Sequence, residues 1–311
     1  MTTANGAPAA DPRAPVWPAF VGFAAVLISV QIIGSVVLGG LFFGELLSGA
    51  GIPEEPGELV ELFMAFATGK TSLIASAAVS SLTLVGASLL GARLLKPRVG
   101  VAERLRLSGG KLGWGRTALA VPGVVAIGWI TGPIISALGL DDVGVLHLLQ
   151  KALQSMGPGA LALAVLFIGV SAPIGEELFF RGFMQTVLAK RWSRIGAIAA
   201  TAGAFGVLHM DPVQGVYAFL VGLYLGWLTE ATGSIRAAIV GHAVNNCLSV
   251  VLSRLGAEEA PGAPESLFEK LLFPAVGAIV LGAGAAALWT AKRGAEGESD
   301  HSGSGPVTLT V

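Results

Sequence analysis

Long apolar runs separated by short polar segments set the pattern of this chain. Residues 17–43, 72–95, 115–138, 158–189, 195–210, 213–231, 234–254 and 268–291 are mostly apolar and carry few charges. A helix that crosses a bilayer needs about 20 such residues, so the pattern predicts eight membrane-spanning helices. The fifth run is short and ends at His209-Met210-Asp211-Pro212, a tight connection. The fourth is long and contains Pro173, whose missing N–H and ring predict a kink or break. Between the first two runs, Glu54 to Ala67 has apolar residues at helical spacing, which predicts a short helix lying in the membrane interface. The fold expected is all-α, and no internal repeat is evident.

Composition agrees with lipid as the main solvent. Of 311 residues, 53% are hydrophobic and only 13% are charged, where a soluble domain carries about 25% charged residues. A single cysteine, Cys247, excludes an internal disulfide and a cysteine-cluster metal site. A net charge of −1 gives no basic field for nucleic acid. The N-terminal tail lacks the basic start and short apolar core of a secretory signal, so the first run reads as a retained span. Residues 1–15 and 294–311 read as disordered tails. Residues 16–156 hold the first three helices and their loops, 157–255 a polar-bearing core, and 256–293 the last helix.

The charges orient the bundle. Arg93, Lys96, Arg98, Arg104, Arg106, Lys111 and Arg116 crowd one segment against a single acid, Glu103. Lys190, Arg191, Arg194, Arg236, Lys292 and Arg293 fall on the same side if the chain alternates. The opposite side has Lys70, Lys151, Arg254 and Lys270, with Glu54, Glu55, Glu58, Glu61, Asp141, Asp142, Glu258 and Glu259. The positive-inside rule then puts both termini in the cytoplasm, which requires an even number of spans. The Gly/Ala-rich composition suggests a bacterial cytoplasmic membrane.

Few ionisable groups fall inside the runs: Glu176, Glu177 and Arg181 in the fourth, His209 at the end of the fifth, and His242 in the seventh. A charge at mid-bilayer costs about 2.5–3.5 kcal/mol on insertion scales, so such groups face the bundle interior and mark function. Glu177 and Arg181 are four apart and share a helix face, which predicts an ion pair. Glu176 is turned about 100° from Glu177 and can point into a cavity. Phe205 and His209 share a face, as do His242 and Asn246, while Asn245 points about 100° away. One carboxylate, two imidazoles and a carboxamide suit hydrolysis. The carboxylate serves as general base toward water, and the carboxamide donates to an oxyanion. Glu176, His209 and His242 also form a possible zinc set. No His-Glu-x-x-His helix is present, and asparagine is a poor zinc ligand, so carboxylate-activated water without a cofactor is favoured.

Glu176-Glu177-x-x-x-Arg181, Phe205-x-x-x-His209 and His242-x-x-x-Asn246, in that order on consecutive membrane runs, resemble the CAAX-protease and bacteriocin-processing (Abi) family. This family includes the type II CAAX prenyl endopeptidases. The resemblance covers roughly residues 157–255. It implies an eight-helix intramembrane endopeptidase acting on a membrane-associated protein or peptide. Glu176 is then the base, His209, His242 and Asn246 bind water or the oxyanion, and Glu177, Arg181 and Phe205 play supporting roles. Family members are described both as metalloproteases and as glutamate-dependent enzymes, which leaves zinc as the alternative. Two other functions fit membrane-embedded Glu and His: a proton-coupled transporter and a non-catalytic immunity or assembly factor. Clustering of the polar groups in the second half alone argues against the repeat symmetry of many transporters.

Overall fold

The computed structural model describes residues 15–50, 52–53, 55–95, 100–108, 110, 118, 121–140, 143–255, 272, 274–287 and 289–290. Much of the basic segment (Lys96, Arg98, Lys111, Arg116), the acids Glu54, Asp141, Asp142, Glu258 and Glu259, the cations Lys270, Lys292 and Arg293, and nearly all of both tails lie outside the described residues. Among the described residues the chain is helical throughout, with no strand.

Five helices are long and apolar enough to cross a membrane: α1 (Trp17–Glu45), α3 (Lys70–Leu95), α6 (Pro158–Leu188), α8 (Pro212–Thr232) and α9 (Arg236–Leu255). Three shorter apolar helices occupy the other expected spans: α4 (Pro122–Ala137), α7 (Arg194–Leu208) and α10 (Pro274–Ala287). Among the described residues there are also two amphipathic helices and a single turn of helix at Val101–Arg104. α2 (Pro56–Ala67) is the short amphipathic helix expected between the first two spans. α5 (Leu146–Gln154) is an amphipathic helix that no apolar run announced, because its nine residues carry His147, Gln150 and Lys151. Outer faces are apolar, as expected where lipid is the solvent: Ile28, Ile32 and Val36 on α1 and Leu82 and Leu94 on α3 are exposed.

The core wraps α6. Phe179, Phe180, Phe183, Met184 and Leu188 are buried there against Ala19 and Val26 of α1, Leu84 of α3 and Phe205 of α7. The expected break at Pro173 takes another form. The helix continues, but π-helical turns at Val165–Ser171 and Leu178–Gln185 flank a short α segment, Ala172–Glu177. A wider turn ahead of Pro173 accommodates the ring and the lost N–H without splitting the helix.

Short, capped connections make α7, α8 and α9 antiparallel neighbours. Ser193 caps α7 by accepting from the Gly196 N–H at 3.1 Å. Asp211 caps α8, accepting from the Gln214 N–H at 2.7 Å, with Pro212 at the first helical position. Gly233, at φ 75°, ends α8 in the left-handed conformation that glycine tolerates. α7 and α8 meet at Gly206 and Gly215, where a Cβ on Gly206 would lie 2.6 Å from the Gly215 carbonyl oxygen.

Candidate functional site

Three buried polar side chains run up one face of α6: Glu177, Arg181 and Gln185, at four-residue spacing and 0% exposed. An arginine in such surroundings must be paired and hydrogen-bonded. Arg181 Nη1 donates to Glu177 Oε1 at 2.8 Å, and Nη2 donates to the Gly222 carbonyl at 3.2 Å. Its guanidinium also lies 4.8 Å from the centre of the Phe205 ring, in cation–π contact. The internal pair expected from spacing is therefore present.

Its carboxylate has a second partner. His242 Nδ1 lies 2.8 Å from the same Glu177 Oε1. That oxygen already accepts from Arg181, so Nδ1 carries the hydrogen and donates. Nε2 is left as the atom directed elsewhere, and it faces Glu176 Oε2 at 3.6 Å. Glu177 thus does more than balance Arg181, because it fixes which imidazole nitrogen His242 presents. Glu176 and Glu177, adjacent in sequence, meet the two edges of one ring. Glu176 is 12% exposed and Glu177 is fully buried.

His209 closes α7. In the tightened last turn the His209 N–H bonds the Gly206 carbonyl at 3.2 Å, so the Phe205 carbonyl loses its ordinary helical donor. His209 Nδ1 takes it instead at 2.9 Å, and here too Nδ1–H donates and Nε2 is presented. Phe205 links the imidazoles, with ring centroids 4.9 Å from His209 and 5.7 Å from His242, both edge-to-face. It is the ring against which Arg181 and both imidazoles are set.

Asn246 lies one turn beyond His242 on α9. It donates to the Ile168 carbonyl at 3.2 Å, within the first π turn of α6. Asn245, read as pointing away, is the more buried of the two. It donates to Asn246 Oδ1 at 3.3 Å, and its own Oδ1 accepts from the Tyr217 hydroxyl at 3.1 Å. Tyr217 gave no signal in the sequence beyond being a polar-tipped aromatic in a span.

Asp211 and Glu230, each near the end of an apolar run, are structural hubs. Asp211 is buried and also accepts from the Val145 N–H at 2.7 Å, which ties α5 to the start of α8. Glu230 accepts from Arg106 at 2.5 Å and Gln185 at 2.9 Å, with Arg194 at 3.9 Å. Arg106, counted as a topology charge, therefore also pins its segment to the end of α8.

Among the described residues, no group of three His, Cys, Asp or Glu side chains is gathered so that it could hold a metal ion. The set Glu176, His209 and His242 does not fit one as arranged. Glu176 and His242 adjoin, while His209 stands across Phe205.

A polar cluster buried in an apolar helical bundle, with one carboxylate facing one oriented imidazole, holds the groups that general-base hydrolysis uses. Residues 158–248 match the family described as type II CAAX prenyl endopeptidase Rce1-like. This is the family that the three motifs resemble, and the match spans α6 to α9, the elements that carry every site residue. The family is one of proteases, and the apolar helices make this a membrane protein. No curated protein and no solved structure matches the chain.

Proposed function

We propose that this protein is an intramembrane endopeptidase that cleaves a peptide bond in a membrane-associated protein or peptide, with Glu176 as general base. The observation that carries the proposal is the contact of Glu176 with His242 Nε2 at 3.6 Å, on an imidazole whose other nitrogen is held by the buried Glu177–Arg181 pair. A carboxylate and an oriented imidazole at that separation can hold one water between them. The water oxygen adds to the scissile carbonyl carbon while its proton passes to Glu176. The bare Nε2 of His242 accepts the water's other hydrogen and so orients it, Asn246 donates its second amide hydrogen to the oxyanion, and His209, which also presents a bare Nε2, stands outside this contact as a further acceptor for the substrate. As the intermediate collapses, the C–N bond breaks and Glu176 returns the proton to the leaving amine. Positioned general base catalysis supplies about 10²–10⁴ in rate, and each oxyanion donor about 10²–10³.

No step in this scheme needs a metal. The eight apolar helices and the one-sided basic residues support eight spans with both termini in the cytoplasm. The test is hydrolysis of internally quenched peptides in proteoliposomes. The wild-type protein is expected to cleave and Glu176→Gln to be inactive, with full activity at substoichiometric metal and in the presence of chelators. Undiminished cleavage by Glu176→Gln overturns the proposal. Activity that tracks bound metal overturns the metal-free scheme.

A further inference from the structure

A cavity of about 390 Å³ opens beside the site, between α4, α5, α8 and α9. Its position along the helices is informative. On α8 it is lined by residues 213–217, at the opposite end from Glu230 and its arginines, and on α9 by residues 245–253, the half away from Arg236. Ile135, Leu153, Val213 and Ser253 line it within two residues of their helix ends. The cavity therefore reaches the membrane face opposite the one where Arg106 and Arg194 gather. Its floor, at Asn245 and Asn246, lies one helical turn from His242.

Its two walls differ chemically. α4 and α5 contribute mainly apolar groups such as Trp129, Ile135 and Leu149, with Thr131 and Gln150 as their polar members. α8 and α9 contribute a row of hydrogen-bonding side chains: Gln214, Tyr217, Asn245, Asn246, Ser249 and Ser253. Asn246, Ser249 and Ser253 follow i, i+3, i+7 spacing and so share one face of α9. The Ser249 hydroxyl donates to the Asn245 carbonyl at 2.9 Å, which leaves its oxygen free to accept. Among the described residues the side chains of Gln214 and Ser253 make no hydrogen bond.

The deeper members of this row, Asn245, Asn246 and Ser249, keep spare amide hydrogens or acceptor lone pairs below the membrane face, and such groups in a hydrocarbon layer are costly unless something pairs with them. An acyl chain offers nothing. An extended peptide offers an N–H and a C=O at every residue, and these need partners within the membrane for the same reason. From Asn246 to Ser253 the row runs seven residues, or about 10 Å along the helix. That is about three residues of extended chain at roughly 3.3 Å each.

We infer that this cavity is the substrate groove, that it takes an extended apolar peptide segment by backbone hydrogen bonding to the α8–α9 row, and that the segment enters from the face opposite the basic residues. The inference rests on the reading of Asn246 as part of the catalytic site, but its test does not depend on catalysis. Single cysteines at Ser253 and Gln214, and a control at Ser108 in the basic segment, are placed in a Cys247→Ser, Glu176→Gln protein. Sealed vesicles of both orientations are treated with a membrane-impermeant maleimide. Ser253→Cys and Gln214→Cys are expected to react from the face opposite to Ser108→Cys. An Ala/Val/Leu octapeptide at roughly ten times its Kd is expected to slow that labelling about tenfold, whereas its backbone N-methylated twin is not. Labelling from the same face as Ser108→Cys overturns the entry side. Equal protection by the two peptides, or protection by added lipid alone, overturns backbone recognition. Failure of the hydrolase reading would appear instead as no peptide cleavage by the wild-type protein, with the labelling pattern unchanged.

Discussion

Glu177 is the residue whose removal separates support of the fold from support of the chemistry. It accepts from Arg181 and from His242 at 2.8 Å each, and neither Glu177 nor Arg181 has any exposed side-chain surface. Breaking a buried ion pair by removing one partner costs about 3–5 kcal/mol, because the remaining charge is stranded. In Glu177→Leu the Gly222 carbonyl and the Phe205 face still hold the guanidinium. The lower part of that range, about 3 kcal/mol, is therefore expected. Arg181→Met strands the carboxylate and is expected to cost about as much. The double variant Glu177→Leu, Arg181→Met strands no charge and leaves only the His242 Nδ1–H without an acceptor, at about 1–2 kcal/mol. The cycle should then show a coupling of at least about 2 kcal/mol, read from unfolding in detergent. Activity should not follow stability. Both variants lacking Glu177 lose the acceptor that sets the His242 tautomer, so turnover falls on the order of 10²–10⁴ in each. Stability losses that add within about 0.5 kcal/mol, or a double variant that regains turnover with its stability, would refute the reasoning.

Glu176→Gln should abolish hydrolysis yet shift stability by less than about 1 kcal/mol, since Glu176 is partly exposed and has one polar contact, at 3.6 Å; calorimetry beside the peptide assay checks this. Asn246→Ala should lower kcat about 10²–10³-fold with a smaller change in KM, the pattern of a group that acts in the transition state. Gly206→Ala would set a methyl 2.6 Å from the Gly215 carbonyl oxygen, so α7 and α8 must separate. A loss of about 1–3 kcal/mol is expected, and an unchanged unfolding midpoint would contradict the close approach. Asp211→Ala removes the acceptor for both the Gln214 and Val145 N–H groups and should cost about 1–2 kcal/mol, with faster hydrogen exchange at the start of α8 and in α5.

Run length made the apolar helices legible, because a bilayer imposes a minimum that few soluble helices meet. It could not reveal α5, whose nine residues are too few and too polar. The helical wheel correctly paired Glu177 with Arg181, since that contact lies within one helix. It could not pair Glu177 with His242, 65 residues away, because that contact depends on how α6 and α9 are rotated against each other. The same limit explains Asn245. A wheel ranks faces of one helix as inward or outward, but α9 is wedged between Ile168 of α6 and Tyr217 of α8, so two faces about 100° apart are both inward. Nothing in the sequence marked Asp211 and Glu230 as hubs, because near a run end a cap or hub looks the same as a solvated acid.

Pro173 shows how local chemistry and site geometry join. In a regular α-helix its ring would meet the carbonyl four residues back, at Gly169, and kink the helix or break it. The preceding turns are instead π-helical, from Val165 to Ser171, so the axis carries on to Glu176 and Glu177. Two consequences meet there. The carboxylates stay at membrane depth on an unbroken helix, where lipid would otherwise demand partners for freed backbone groups. The Ile168 carbonyl, inside the widened stretch, accepts from the Asn246 side chain. The irregularity that the proline imposes on α6 thus provides an acceptor for α9 one turn from His242. The π turn is accordingly part of what aligns the two helices, and of how neighbouring glutamates come to face one imidazole from both edges.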